Sequence, residues 1–279
     1  MCKYSDKMII ILATCILSIF IAGCSIGNKV IATQNPSEVI SAHTVTPPAQ
    51  QVPESVYSVY KSTYDSVKSN VYVSPTELKP YYNGDRAKKL IAITFDDGPD
   101  RKNTPAVLDI LKKYKVKATF FLVGRQVAHF PEVAKRIVEE GHSVGNHTYN
   151  HIMLTKDNPK QVQTELMGTE TAIHNATGIY TNLFRPPFGR TSKAVLNQIS
   201  KMGFKEIMWD IDPNDWRRPP IAKMVNYELN HVKNGSIILN HSGEGEKLEA
   251  TIKSLPWIIT ELRSKGYEFV TIPELIYGR

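Results

Sequence analysis

Cysteine is nearly missing from this chain. Of its 279 residues only Cys2, Cys15 and Cys24 are cysteine, all at the N-terminal end, so no disulfide framework can staple the body of the protein. Long apolar runs are missing as well. A single stretch near the N-terminus is apolar enough to reach a bilayer, which excludes a multi-span membrane protein. No run of five basic residues occurs; the net charge of +7 is dispersed, and nothing beyond charge asks for a nucleic-acid partner. Internal repeats are absent too. What is present is 42% hydrophobic and 22% charged residues, enough apolar material for one large α/β domain and too much for a disordered chain.

The apolar stretch follows Lys3 and Lys7, spans residues 8–22 and ends in Ile21-Ala22-Gly23-Cys24, after which the chain turns polar. A basic start, a short apolar core and small residues at its end have the layout of a secretory signal over residues 1–23. The last four residues resemble the bacterial lipobox, whose cysteine becomes residue one and is acylated; an uncleaved signal anchor is the alternative. The resemblance implies a lipoprotein held by membrane lipid through Cys24 on the extracytoplasmic, cell-wall side of the cell membrane. Residues 24–54 are rich in Ser, Thr, Pro, Gln and Asn and read as a flexible tether. Residues 55–86 carry Tyr57, Tyr60, Tyr64, Tyr72, Tyr81 and Tyr82, the first three spaced as one helix face, and predict a short extension packed on the main domain, 87–279.

Within that domain short apolar runs alternate with amphipathic stretches. Strands are expected at 90–95, 118–123, 142–146, 182–185, 204–209, 236–240 and 269–272, and helices at 105–115, 132–140, 159–177, 192–202, 220–232 and 247–265. Such alternation implies a parallel sheet, and the strand number suggests a (β/α)7-type barrel whose chemistry sits where strands end.

Five clusters fall at those expected ends. The first strand runs into Asp96-Asp97-Gly98-Pro99. Alternation would point the two carboxylates oppositely, but a bend at Gly98-Pro99 lets both reach one site; a helix cap plus a turn aspartate is the plain alternative. After the third strand comes His147-Thr148-Tyr149-Asn150-His151, two imidazoles that share a face if the loop turns helically, a common zinc pair. An aspartate with both histidines completes a three-ligand site that leaves positions for water and substrate. Arg185-Pro186-Pro187-Phe188-Gly189 is a stiff loop able to aim a backbone N–H, or simply a structural turn. The segment 209–216 offers Asp210, Asp212 and Asp215 between Trp209 and Trp216, and Leu239-Asn240-His241-Ser242 offers a general acid or a core histidine. His142 reads as packed at the start of its strand.

In this order the clusters resemble the five motifs of the NodB-type polysaccharide deacetylases, carbohydrate esterase family 4, over about residues 88–272. The resemblance implies a distorted (β/α) barrel and metal-dependent removal of acetyl groups from a glycan polymer. It implies metal ligation by Asp97, His147 and His151, with Zn²⁺, or else Co²⁺ or Ni²⁺. Asp96 would be the general base, oriented by Arg185; Phe188 would offer its backbone N–H to the oxyanion; Asp215 would tune the general acid His241; Trp216 and Leu239 would line the pocket. Phe188 and Ser242 stand where the family commonly has tyrosine and aspartate. Location outside the membrane, with the family, favours peptidoglycan N-acetylglucosamine as substrate, and a monomer is expected. N-acetylmuramic acid, chitin oligomers, acetylated xylan, a glycosidase or a non-catalytic wall-binding lipoprotein are the rivals.

Overall fold

The computed structural model describes residues 78–155, 158–243 and 248–278. The signal, Cys24, the tether and the tyrosines at 57, 60, 64 and 72 lie outside them. Among the described residues seven strands alternate with eight α-helices: β1 (Leu90–Asp96), α1 (Asn103–Tyr114), β2 (Thr119–Leu122), α2 (Gly124–His129), α3 (Pro131–Glu139), β3 (Ser143–Asn146), α4 (Pro159–Thr177), β4 (Leu183–Phe184), α5 (Lys193–Lys201), β5 (Lys205–Glu206), α6 (Ile221–His231), β6 (Ile237–His241), α7 (Glu249–Ser264), β7 (Glu268–Phe269) and α8 (Ile272–Tyr277). The strands run in the order β5-β4-β3-β2-β1-β6, with β7 on the first residues of β1, and every strand pairing is parallel. Past β5, Ile211 bridges Ile238 of β6, which joins the outer strands and curls the sheet into a distorted barrel.

β1 shows how the two faces are used. Ile91, Ile93 and Phe95 pack with Leu108 and Leu111 of α1 and Ile258, Ile259 and Leu262 of α7, whereas Ala92 packs inside with Phe121, Ile207 and Ile237. Period-2 alternation therefore lines the barrel interior with Ala92, Thr94 and Asp96, the last at the C-terminal rim.

Three expected elements differ from what forms. β4 and β5 are two residues each: the next ladder donor to Ile207 O would be Pro186, which has no N–H, and Arg185 Nε and Nη2 donate instead to the carbonyls of Ile207 (3.1 Å) and Met208 (3.2 Å). The Met208 N–H donates instead to the carbonyl of Tyr81, whose own N–H donates to Glu206 O, so the described end of the extension packs on β5. The strand expected to reach 272 gives way to α8, which starts with a capping box between Thr271 and Glu274 and a proline in its first turn. The sequence Thr-x-x-Glu carried that signal. The short α2, directly after β2, was not foreseen.

Candidate active site

Strand alternation alone would turn Asp97 away from Asp96. Asp97 instead adopts φ of 70°, a left-handed conformation that swings its carboxylate back to the interior rim; the bend begins here, one residue before the expected Gly98-Pro99. Its Oδ1 lies 3.1 Å from His151 Nε2 and 3.4 Å from His147 Nε2. One ligand atom from each of the three residues falls within 4.8 Å of the others. The 147–151 loop brings its imidazoles together without the helical turn that was the condition for their sharing a face: left-handed backbone at Thr148 (φ 64°) and His151 (φ 56°) brings the rings to 5.1 Å between centroids.

This donor set fits a divalent cation. His147 Nδ1 donates to the Arg185 carbonyl (2.7 Å), an oxygen that can only accept, so the Nε2 lone pair faces Asp97. Asp97 Oδ1 is buried without a hydrogen-bond partner. A buried, unpartnered carboxylate oxygen beside two imidazole nitrogens is what a zinc-type ion completes.

Asp96 is anchored from inside the barrel. Arg185, fully buried, donates from Nη1 to Asp96 Oδ1 and to Thr94 Oγ1, each at 2.7 Å, and its guanidinium lies 4.0 Å from the centroid of Phe121. Asp96 Oδ2 stays turned toward the metal donors, 3.8 Å from His147 Nε2. Nothing local in the sequence marks Thr94 as a partner of Arg185; only the inward face of β1 joins them.

Opposite stands His241, paired in register with Asp96 across β6 and β1. Its Nδ1 donates to Asp215 Oδ1 (2.7 Å) and its backbone N–H to Asp215 Oδ2 (2.8 Å). Trp216 N and Thr251 Oγ1 also donate to Asp215, at 2.9 and 2.8 Å. Burial lowers the His241 pKa, but the Asp215 bond and charge, helped by Asp97 and Asp96, raise it to about 9. Thr251 sits in the first turn of α7, an ordinary amphipathic helix, and no sequence signal announces it as a partner of Asp215.

The remaining expected residues ring this centre. Phe188 has φ of 60° within a 3-10 turn, Pro187–Gly189, and its exposed ring packs edge-on against His151 at 4.7 Å. Trp216 is half exposed, whereas Leu239 is buried on the interior face of β6. Ser242 points to the opposite face from His241: its N–H donates to Asp96 O (2.9 Å), and a Cβ on Gly98 would come within 2.8 Å of its Oγ. The small side chain at 242 therefore packs behind the Asp97 turn and does not border His241. His142 is buried, accepts the Ala118 N–H at Nδ1 (3.1 Å), and is lowered to about 4 mainly by burial.

Residues 83–207 match the family described as Polysaccharide deacetylase. A Peptidoglycan-N-acetylglucosamine deacetylase of Bacillus cereus is 38% identical over 194 residues, 70% of either chain. The crystal structure of the Bc1960 peptidoglycan N-acetylglucosamine deacetylase superposes with a TM-score of 0.70 at 37% identity, covering 71% of this chain and 93% of that one. A carbohydrate esterase family 4 pseudoenzyme from Bacillus anthracis superposes at 0.67 with 32% identity, over 73% and 69%. The barrel, the carboxylate–imidazole cluster on its rim and these likenesses converge: the chain belongs to the polysaccharide deacetylase family.

Proposed function

We propose that this protein hydrolyses acetyl groups from N-acetylglucosamine of peptidoglycan with a divalent metal, zinc, at the rim. The observation that carries the proposal is the meeting of Asp97, His147 and His151 between a carboxylate held by arginine and an imidazole held by carboxylate. A cation on that triad supplies Lewis-acid polarisation of the acetyl carbonyl and acidifies a water. The chain's own residues do the rest. Asp96, with Oδ1 occupied by Arg185, has Oδ2 available to take the proton of the attacking water. The backbone N–H of Phe188 donates to the developing oxyanion, where a fixed donor is worth about 3–4 kcal/mol. His241, kept protonated by Asp215, delivers the proton that the departing amine requires. Trp216 and Leu239 wall the acetyl-sugar pocket.

The substrate is supported by the Bacillus cereus relatives, and the site of action by residues 1–24, whose pattern suits a lipoprotein acylated on Cys24 and facing the cell wall from the membrane. The pseudoenzyme relative favours one second reading, a wall-binding barrel without turnover. Purified peptidoglycan incubated with the protein separates the two. Mass spectrometry of its disaccharides should show acetyl replaced by hydrogen on glucosamine, lost with a chelator and regained with zinc. Unaltered glycan under all conditions refutes the enzyme, and shortened strands without acetate point to a glycosidase.

A further inference from the structure

Both imidazoles of the metal triad ride on a loop with two left-handed residues, Thr148 and His151, and no regular structure of its own. The loop is tied by hydrogen bonds to α4. Glu165 grips Asn150 with both oxygens: Oε2 accepts its backbone N–H and Oε1 its Nδ2, each at 2.8 Å. Further along the helix, Glu170 Oε1 accepts Asn146 Nδ2 and Oε2 accepts the Thr181 N–H, each at 2.9 Å. Asn146, the last residue of β3, passes this restraint to the loop, since its Oδ1 accepts the Thr148 N–H at 3.0 Å. Both glutamates are buried. Between these two anchors Tyr149 lies so close to α2 and α4 that a Cβ on Gly124 would come within 2.5 Å of its ring, and one on Gly168 within 3.2 Å.

We propose that Glu165 and Glu170 are metal-positioning residues, holding the 147–151 loop through Asn150 and Asn146 so that the two Nε2 atoms stay aimed at Asp97. Three acceptor oxygens on one helix meet donors at both ends of the strained segment, while the fourth, Glu170 Oε2, is held by the Thr181 N–H; this is the arrangement by which outer-layer groups orient metal ligands. The inference rests on the metal reading above.

The test is zinc affinity of the full chain, measured by competition with a chromophoric chelator, together with the visible absorption of the Co²⁺-loaded protein. Glu165→Ala should raise the zinc Kd about 10–100-fold and alter the Co²⁺ spectrum. Glu165→Gln should rescue both, because its carbonyl still accepts the Asn150 N–H while the Asn150 amide, turned over, accepts from the new NH2. Ile173→Ala, which destabilises the same helix in the core away from the loop, should leave Kd and spectrum unchanged. If Glu165→Ala does not fold, Asn150→Ala replaces it with the same expected direction. A wild-type Kd and spectrum in the variant that is used, or an equal loss in Ile173→Ala, overturns the inference. A wild-type chain that takes up no zinc overturns the metal site itself, and this inference with it.

Discussion

Replacing Asp215 by asparagine tests the acid half of the site. The carboxylate accepts four hydrogen bonds, from His241 N, His241 Nδ1, Trp216 N and Thr251 Oγ1. The amide retains one oxygen and no charge. Burial then acts on His241 with only Asp97 and Asp96 opposing it, so a pKa of about 9 should fall toward neutrality. A drop of about two units corresponds to ~2.7 kcal/mol between the two protonation states. At pH 8 the imidazolium fraction would fall from about nine-tenths to about one-tenth, a roughly tenfold loss in kcat/KM that shrinks toward pH 6. The assay is kcat/KM on N-acetylglucosamine oligomers against pH, with zinc content measured alongside. The alkaline limb should move to lower pH while zinc stays near one equivalent. Stability carries the same sign. The folded pKa of His241 lies above its ordinary 6.5, so the pair's stabilisation is complete below about 6.5 and is lost as pH rises through about 9. The Tm gap between wild type and Asp215→Asn should thus be wider at pH 6 than at pH 10. An alkaline limb left in place, or a variant-to-wild-type ratio constant with pH, refutes the reasoning.

Other expectations follow from the same geometry. His147→Ala or His151→Ala should bring bound zinc well below one equivalent, while Asp96→Asn should keep the metal and lose about 10²-fold or more in turnover; an Asp96→Asn protein without metal would mean the two aspartates are reversed. His241→Ala should cost about 10²–10⁴-fold on the amide and much less on an activated aryl acetate, whose leaving group needs little protonation; equal losses would mean His241 only supports the site. Cys24→Ser should abolish labelling by a fatty-acid analogue in cells, and label that persists refutes the lipoprotein.

Much of this was legible in the order of residues because the signals are local. Apolar runs closed by turn residues marked where each of the seven strands would form, and the reactive motifs lay just past those runs, at one rim of a parallel barrel. That placement marks the clusters holding Asp96, Asp97, His147, His151, Arg185, Asp215 and His241. The choice of Asp215 among three carboxylates and the separate roles of Asp96, Asp97 and Arg185 come from the family resemblance of the motifs. The capping box at Thr271 and Glu274 was equally local and was read as strand only because the apolar run continues to Ile272.

Other features were settled by tertiary structure alone. The left-handed backbone at Asp97 and Thr148 places residues where their own preferences would not, and it is held by contacts from other segments. Arg185 takes two carbonyls 22 and 23 residues away, Thr251 reaches Asp215 across 36, and Glu165 reaches Asn150 across 15. Pattern along a chain reports which face a side chain presents. Which partner waits there depends on register and helix packing, through hydrogen bonds that form only when the whole barrel has excluded water, and no local stretch encodes that.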